Sequence, residues 1–277
     1  MSNRTLPAAK PDQWLTNSAN EWSFTTALII QSYLEQYAEQ AKSEGKKLVI
    51  VNLFAGSGYV HYDEETYQGP AIVGINSPGH EKSILLEEDQ DLFEALEARI
   101  TRDLQDANVE LLPSSPNMQV ERISNLLEPY KDSNTYSILC IGTPRSLELK
   151  FGTVSELSKI EMDFLILHRL PIAAYRGPRG YINKNIERIS EYLEMWEWAA
   201  ILDQPQYDLD SLTRLIADMY LVKMQELGYP ELDLRHVVKV GKKHTEYYLS
   251  LYSKQSWAHE AYVNANQVLE TQLRLLV

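Results

Sequence analysis

Two glycines, Gly56 and Gly58, follow an apolar, β-branched run from Leu48 to Phe54. This pattern is typical of a buried parallel strand that ends in a tight loop. Because glycine lacks a Cβ atom, such a loop can adopt positive φ angles and bring its backbone amides close to a ligand. We therefore expect Phe54, Ala55, Gly56 and Gly58 to contact a nucleotide-like cofactor.

The glycine loop does not match the best-known phosphate-binding motifs. No Gly-Lys-Ser/Thr sequence follows Gly58, so the loop is not a P-loop. The third glycine of the dinucleotide fingerprint is also missing. A tight strand-to-helix turn that holds no ligand is the alternative interpretation.

An acidic residue, Glu87, stands at the end of the next apolar run, Ser83 to Leu86. A carboxylate there can accept hydrogen bonds from both ribose hydroxyls of a nucleoside held over the first loop. We therefore assign Glu87 to the cofactor site. The alternative is a surface acid at a helix N-terminus, which is how we interpret Glu88 and Asp89.

A basic cluster follows the fifth predicted strand. It comprises Arg169, Arg176, Arg179, Lys184 and Arg188, with few acidic residues between them. Open α/β sheets bind their ligands at this edge, so we expect Arg169, Arg176 and Arg179 to contact an anionic substrate or the end of a nucleic acid. A solvated loop or a contact with a protein partner is equally compatible with this composition.

Composition narrows the possible functions. The chain has 277 residues, 44% of them hydrophobic, and a formal net charge of −13, which disfavours nonspecific binding of nucleic acid. Cys140 is the single cysteine and the histidines lack metal-ligand spacing, so we predict no disulfide and no metal. No segment of signal-peptide or membrane-spanning character occurs, and we expect a cytosolic protein with no membrane contact.

The elements that position these residues alternate between strands and helices. Strands are predicted near 48–54, 83–86, 109–112, 136–141 and 164–167, and helices near 22–41, 92–100, 118–127, 154–160, 182–200, 211–227 and from about 258. A hairpin, 235–240 with 246–252, must be antiparallel because its turn is so short. On the helix near 182–200, we expect Tyr192, Met195 and Trp196 to share a buried face.

These elements predict the fold class. It is an α/β, Rossmann-like class I methyltransferase sheet, with five parallel strands, a C-terminal antiparallel hairpin and helices on both faces. Residues 1–20 are expected to be a loose arm and residues 59–80 a long loop. Residues 21–277 would form the domain, with a helical elaboration at about 181–230.

Several short segments resemble the three-Cys-motif partner (TcmP) family. They are Tyr33-Leu34, Asn52 to Tyr59, Gly69-Pro70-Ala71, Glu87 to Asp89, Phe93 to Leu96, Leu227 to Tyr229, and Tyr248 to Lys254. The resemblance implies a class I methyltransferase fold that binds S-adenosylmethionine. It also implies that Asn52 and Gly142 belong to the cofactor site.

The chain departs from the family pattern at two of these positions. Asn52 stands where the family usually has aspartate, and Gly142-Thr143-Pro144 stands where it usually has an Asp-Pro-aromatic-Gly sequence. Losing a charged hydrogen bond costs about 1.5–3 kcal/mol of binding free energy. Two functions therefore remain open: a methyltransferase acting on an anionic or nucleic-acid-derived substrate, and a catalytically degenerate relative that serves as a binding or scaffold subunit of a larger complex.

Overall fold

The computed structural model describes residues 6–172, 178–198, 200, 212–240 and 245–275. Its strands are β1 (Asn17–Ser18), β2 (Lys47–Asn52), β3 (Tyr59–Tyr62), β4 (Glu65–Gln68), β5 (His80–Leu86), β6 (Val109–Leu112), β7 (Tyr136–Gly142), β8 (Asp163–His168), β9 (Arg235–Val240) and β10 (Thr245–Tyr252). Its helices are α1 (Glu21–Ser43), α2 (Pro70–Ile75), α3 (Gln90–Asp103), α4 (Pro116–Leu127), α5 (Phe151–Leu157), α6 (Pro178–Leu193), α7 (Leu212–Glu226) and α8 (Ser256–Leu275).

Seven strands form the central sheet, in the order β6-β5-β2-β7-β8-β10-β9. The first five in this order are parallel to one another. Strand β10 runs antiparallel to both β8 and β9. This arrangement confirms the predicted fold class, including the C-terminal hairpin, whose connecting residues 241–244 lie outside the described part of the chain.

Helices cover both faces of the sheet. On one face, α1 and α8 pack over apolar side chains such as Ile50 of β2 and Leu165 of β8. On the other, α4, α5, α6 and α7 pack over Val51 and Ile166. Because β2, β7 and β8 are buried between these two layers, their sequences are almost continuously apolar.

The segment 59–80 is not a long loop, and this part of the sequence interpretation was wrong. Strands β3 and β4 form a hairpin, which continues into the short helix α2. Strand β1 pairs in parallel with β3, so a small three-stranded sheet lies beside the glycine loop. The hairpin was missed because its two-residue turn, Asp63-Glu64, lacks the glycine that usually marks such turns.

Replacing Glu64 with glycine is expected to raise the free energy of unfolding by about 0.5–1 kcal/mol. Both turn residues have positive φ, 50° for Asp63 and 65° for Glu64, which strains a side chain with a Cβ atom. Urea denaturation would measure the gain. Glu64→Ala is the control, because it removes the charge and keeps the Cβ atom; equal stability of the two variants would contradict the explanation.

Residues 6–18 are packed against the domain, which corrects the prediction of a loose arm over 1–20 for this part; residues 1–5 lie outside the described chain. Leu6 is buried, and Ala8 bridges to Tyr67 of β4. Asn20 then begins α1 with a capping box, in which its side chain accepts from the Ser23 amide. The first described residues therefore belong to the folded unit.

The prediction that Trp196 is a core residue was also wrong. Helix α6 ends at Leu193, and Glu194 has a φ of 48°, so the helical spacing from Tyr192 does not continue. Tyr192 is buried, whereas Trp196 is 65% exposed. Trp198 is buried instead and donates its indole N–H to Ser190 Oγ at 3.0 Å.

Candidate functional site

A cleft of about 600 Å³ opens at the carboxyl edge of the parallel strands. The ends of all five parallel strands contribute to its walls: Leu53 and Phe54 after β2, Glu87 after β5, Ser114 after β6, Thr143 after β7, and Leu167 and Arg169 at the end of β8. Ligands of open α/β sheets bind at this edge, and the volume lies in the range of small-molecule sites.

The glycine loop forms the floor of this cleft next to β2. Gly56 and Gly58 have φ angles of 62° and 79°, which a side chain with a Cβ atom rarely adopts. A Cβ atom on Gly58 would also lie 2.8 Å from Leu96 Cδ1 of α3. Both glycines, together with Phe54 and Ala55, line the cleft, and their contact with a cofactor stays a prediction.

Glu87 is half-buried and faces the same cleft. Its Oε2 accepts a hydrogen bond from the Gly56 amide at 2.8 Å, and its Oε1 accepts one from the Asp89 amide at 3.0 Å. Each carboxylate oxygen retains acceptor capacity beyond these bonds. The glycine loop and the β5–α3 loop are therefore joined by one carboxylate that can still accept from a hydroxyl-bearing ligand.

The side chains of Asp89 and Glu88 form no hydrogen bond that joins the two loops within the described residues. Asp89 acts at the N-terminus of a helix, as its sequence position indicated. The Asp89 side chain accepts from the Leu92 amide at 3.2 Å and caps α3. Glu88 is exposed on the rim of the cleft.

Asn52 and Gly142, assigned to the cofactor site by resemblance, lie behind the wall of the cleft. Asn52 is buried, and its Oδ1 accepts from the Phe54 amide at 3.1 Å, so the side chain shapes the start of the loop. A Cβ atom on Gly142 would lie 3.1 Å from Leu149 Cδ2. The cleft is lined instead by the residues that follow, Thr143, Pro144 and Arg145.

Sequence reasoning missed an acidic residue in the loop after β7. Glu148 lines the cleft, and its Oε2 accepts from the Ser146 amide at 2.6 Å. The family pattern places its acid next to the strand end, whereas Glu148 follows Gly142 by six residues and returns to the cleft through the fold of the loop. A carboxylate is therefore present on this side of the site.

Two further residues that the sequence did not point to, Asn17 and Arg99, hold the glycine loop in place through hydrogen bonds. Asn17 of β1 accepts from the Ser57 amide at 2.8 Å through Oδ1, and its own amide donates to Ser57 Oγ at 3.3 Å. Arg99 of α3 is 1% exposed and donates to the Ser57 carbonyl oxygen at 2.7 Å. The loop is thus fixed from two elements that lie far from it in sequence.

Arg99 uses its whole guanidinium group in this position. Two nitrogens donate to Asp12, at 2.9 Å and 2.8 Å, and the remaining bonds reach the Leu15 and Trp14 carbonyl oxygens and Thr16 Oγ1. The Arg99 guanidinium holds the pKa of Asp12 below its usual value. Arg99 therefore joins residues 12–16 to the glycine loop.

The predicted substrate-binding arginines are distributed differently. Arg169 lines the cleft, with its guanidinium 4.4 Å from the ring centre of Trp22. Arg179 is exposed on α6 and does not line the cleft. Arg176 lies outside the described residues, so its contact with substrate stays a prediction.

Two features are absent from the described ranges of the chain. No group of three or more histidine, cysteine, aspartate or glutamate side chains is arranged there to hold a metal ion. None of the described helices is both long enough and apolar enough to cross a membrane.

No protein-family model matches this sequence, and no curated protein matches it significantly. Solved structures with a similar fold include protein LPL1258 from Legionella pneumophila, 12% identical, TM-score 0.42, with 61% of this chain and 74% of that chain covered. TYW2 of P. horikoshii in complex with MeSAdo is 14% identical, TM-score 0.41, with 79% and 61% covered. The METTL16 MTase domain is 10% identical, TM-score 0.42, with 81% and 67% covered.

This chain has a class I methyltransferase-like fold. Its own strand order, with the antiparallel strand β10 between β8 and β9, is the arrangement expected of that class. Likeness at such low identities and TM-scores carries no argument about cofactor or substrate, which have to be inferred from the residues that line the cleft.

Proposed function

We propose that this protein is a methyltransferase that binds S-adenosylmethionine in the cleft and acts on an anionic acceptor. The observation that carries the proposal is the hydrogen bond between Glu87 and the Gly56 amide. It joins the glycine loop and the acidic strand end, the two features that hold a nucleoside at the edge of a Rossmann-like sheet.

The residues of the cleft fit this cofactor. Gly56 and Gly58 have the positive φ angles that let the loop backbone line the cleft without strain, and Glu87 keeps acceptor capacity for ribose hydroxyls. Ser114 adds a hydroxyl at the end of β6. When bound, the cofactor supplies an electrophilic methyl group on a sulfonium.

The chain's own contribution to methyl transfer is mainly orientation, which needs no nucleophile from the protein. Arg169 stands at the end of β8 and Glu148 follows β7. In the sheet, β7 and β8 lie on one side of β2 and β5 lies on the other, so Arg169 and Glu148 line the side of the cleft away from Glu87. Arg169 can bind an anionic group of the acceptor, and the Glu148 carboxylate can accept a proton from it.

One observation favours the alternative, a degenerate relative that binds a ligand or partner without methyl transfer. Asn52 supplies no charge to the cleft, because its side chain is neutral. It is also buried, and its Oδ1 accepts a hydrogen bond from the Phe54 amide of the loop. Against it, Glu148 places an acid in the loop where Gly142 to Arg145 contain none. We therefore retain the enzyme as the favoured function.

Glu87→Ala is expected to weaken binding of S-adenosylmethionine by about 10- to 100-fold, because it removes a charged acceptor from the site. Isothermal titration calorimetry of the full chain would measure the change. Asp91→Ala is the matched control, because Asp91 is an exposed acid of α3 outside the cleft. No binding to the wild type at millimolar cofactor would refute the proposal, and unchanged affinity of Glu87→Ala would refute the ribose assignment.

A further inference from the structure

Arg169 is held between two aromatic rings at one end of the cleft. Its guanidinium lies 4.4 Å from the ring centre of Trp22 of α1 and 5.6 Å from that of Tyr247 of β10. The two rings contact each other edge to face, with centres 5.1 Å apart. Stacking of this kind fixes the plane of a guanidinium while leaving its N–H groups directed around the edge.

Those N–H groups are not used within the described residues. The Nε atom of Arg169 is buried and has no hydrogen-bond partner there, and none of the ion pairs found in the described part of the chain includes this residue. Arg99, by contrast, pairs with Asp12 through two parallel bonds. A buried donor without a partner is costly, so a ligand group that accepts from Arg169 would be bound with a net gain.

The charges around the cleft restrict what that ligand can be. The charged residues of the described lining are four carboxylates, Glu87, Glu88, Asp89 and Glu148, and two guanidinium groups, Arg145 and Arg169. A polynucleotide needs several basic residues along its phosphates, and this lining would repel it. A small molecule with a single oxyanion can meet Arg169 and keep the rest of its surface neutral.

We propose that Arg169 binds the oxyanion of a small organic acid, and that this acid is the acceptor substrate. The identification of this acid as the methyl acceptor rests on the proposed function. The anion site at Arg169 does not depend on it. The two terminal nitrogens of a guanidinium match the two oxygens of a carboxylate, which is the geometry that lysine cannot reproduce. Trp22 is then a positioning residue, because it holds the plane of the guanidinium.

The test is a titration of the full-length, ¹⁵N-labelled protein with sodium benzoate, followed through the Arg169 Nε–H and Trp22 indole N–H resonances. We expect both resonances to shift saturably and the Arg169 signal to move downfield. Arg169→Met should weaken the benzoate affinity by about tenfold or more, and Arg169→Lys should weaken it too, although the charge is kept. Arg179→Met, which removes an exposed arginine outside the cleft, should leave the affinity unchanged.

Three results would overturn the proposal. The first is an absence of shifts at high benzoate concentration, and the second is equal affinity of wild type and Arg169→Lys. The third is tight binding of a single-stranded 20-mer oligonucleotide that moves the same resonances, which would indicate a nucleic-acid substrate. Repeating the titration with Glu87→Ala separates the two proposals, because that variant should lose cofactor affinity while its benzoate shifts persist.

Discussion

Replacing Arg99 with methionine is expected to lower the free energy of unfolding by about 3–5 kcal/mol. The change leaves the Asp12 carboxylate, whose side chain is 8% exposed, with the partly exposed Arg102 as its remaining ionic partner, and breaking a buried ion pair has costs of this size. It also removes the donors to the Ser57, Trp14 and Leu15 carbonyl oxygens. Residues 12–16 and the glycine loop should both lose their shared support.

Urea denaturation of the full chain would measure this loss. Arg102→Met is the matched control, because Arg102 lies on the same helix and contacts the same aspartate, but its side chain is 37% exposed. Exposed ion pairs contribute about 0.2–1 kcal/mol, so the control should stay near the wild type. A similar, small effect of both variants would contradict a buried, fully paired Arg99.

Asp163→Asn is expected to become more stable relative to the wild type as the pH rises. Asp163 is buried at the amino end of β8, and burial raises its pKa from 3.8 to about 6, although Ser253 and Tyr37 hydrogen-bond to it. Between these two values the folded state binds more protons than the unfolded state. The wild type therefore loses stability as the pH rises from 4 to 6, whereas the asparagine variant has no such loss.

The difference in unfolding free energy between the two proteins should change by about 2 kcal/mol between pH 4 and pH 7. His168 changes in the opposite sense, since burial lowers its pKa to about 3, but it is present in both proteins and cancels in the difference. Urea denaturation at several pH values would test this expectation. Asp106→Asn, at an exposed position, is the control; parallel pH profiles for all three proteins would exclude a raised pKa at Asp163.

The central sheet could be predicted because its signals are local. Buried parallel strands such as β2 and β8 are continuous apolar runs, and the short separation of β9 from β10 leaves an antiparallel hairpin as the outcome. The β3–β4 hairpin could not be recognised, because Asp63 and Glu64 adopt positive φ without glycine. Trp196 was misplaced since helical spacing was extended past Leu193, where the helix ends.

The site was predictable where a residue follows a strand directly. The glycine turn after the first predicted strand, Glu87 after the second and Arg169 after the fifth were assigned to a site at the ends of these strands, and Gly56, Gly58, Glu87 and Arg169 all line the cleft. The supports of the loop were not predictable, because Asn17 lies 40 residues from Ser57 and nothing in the local sequence links them. Arg99 looked like an ordinary helical arginine, and only the packing of residues 12–16 against α3 buries it.

The contact between Asp12 and Arg99 also has a consequence for biosynthesis, because the two residues are 87 positions apart. At about 5–20 residues per second, a ribosome needs about 4–17 s to add the second partner after the first. Throughout this interval the N-terminal segment has no Arg99 guanidinium to dock on. A nascent chain paused before residue 99 therefore carries the sequence of the glycine loop without the element that shapes it.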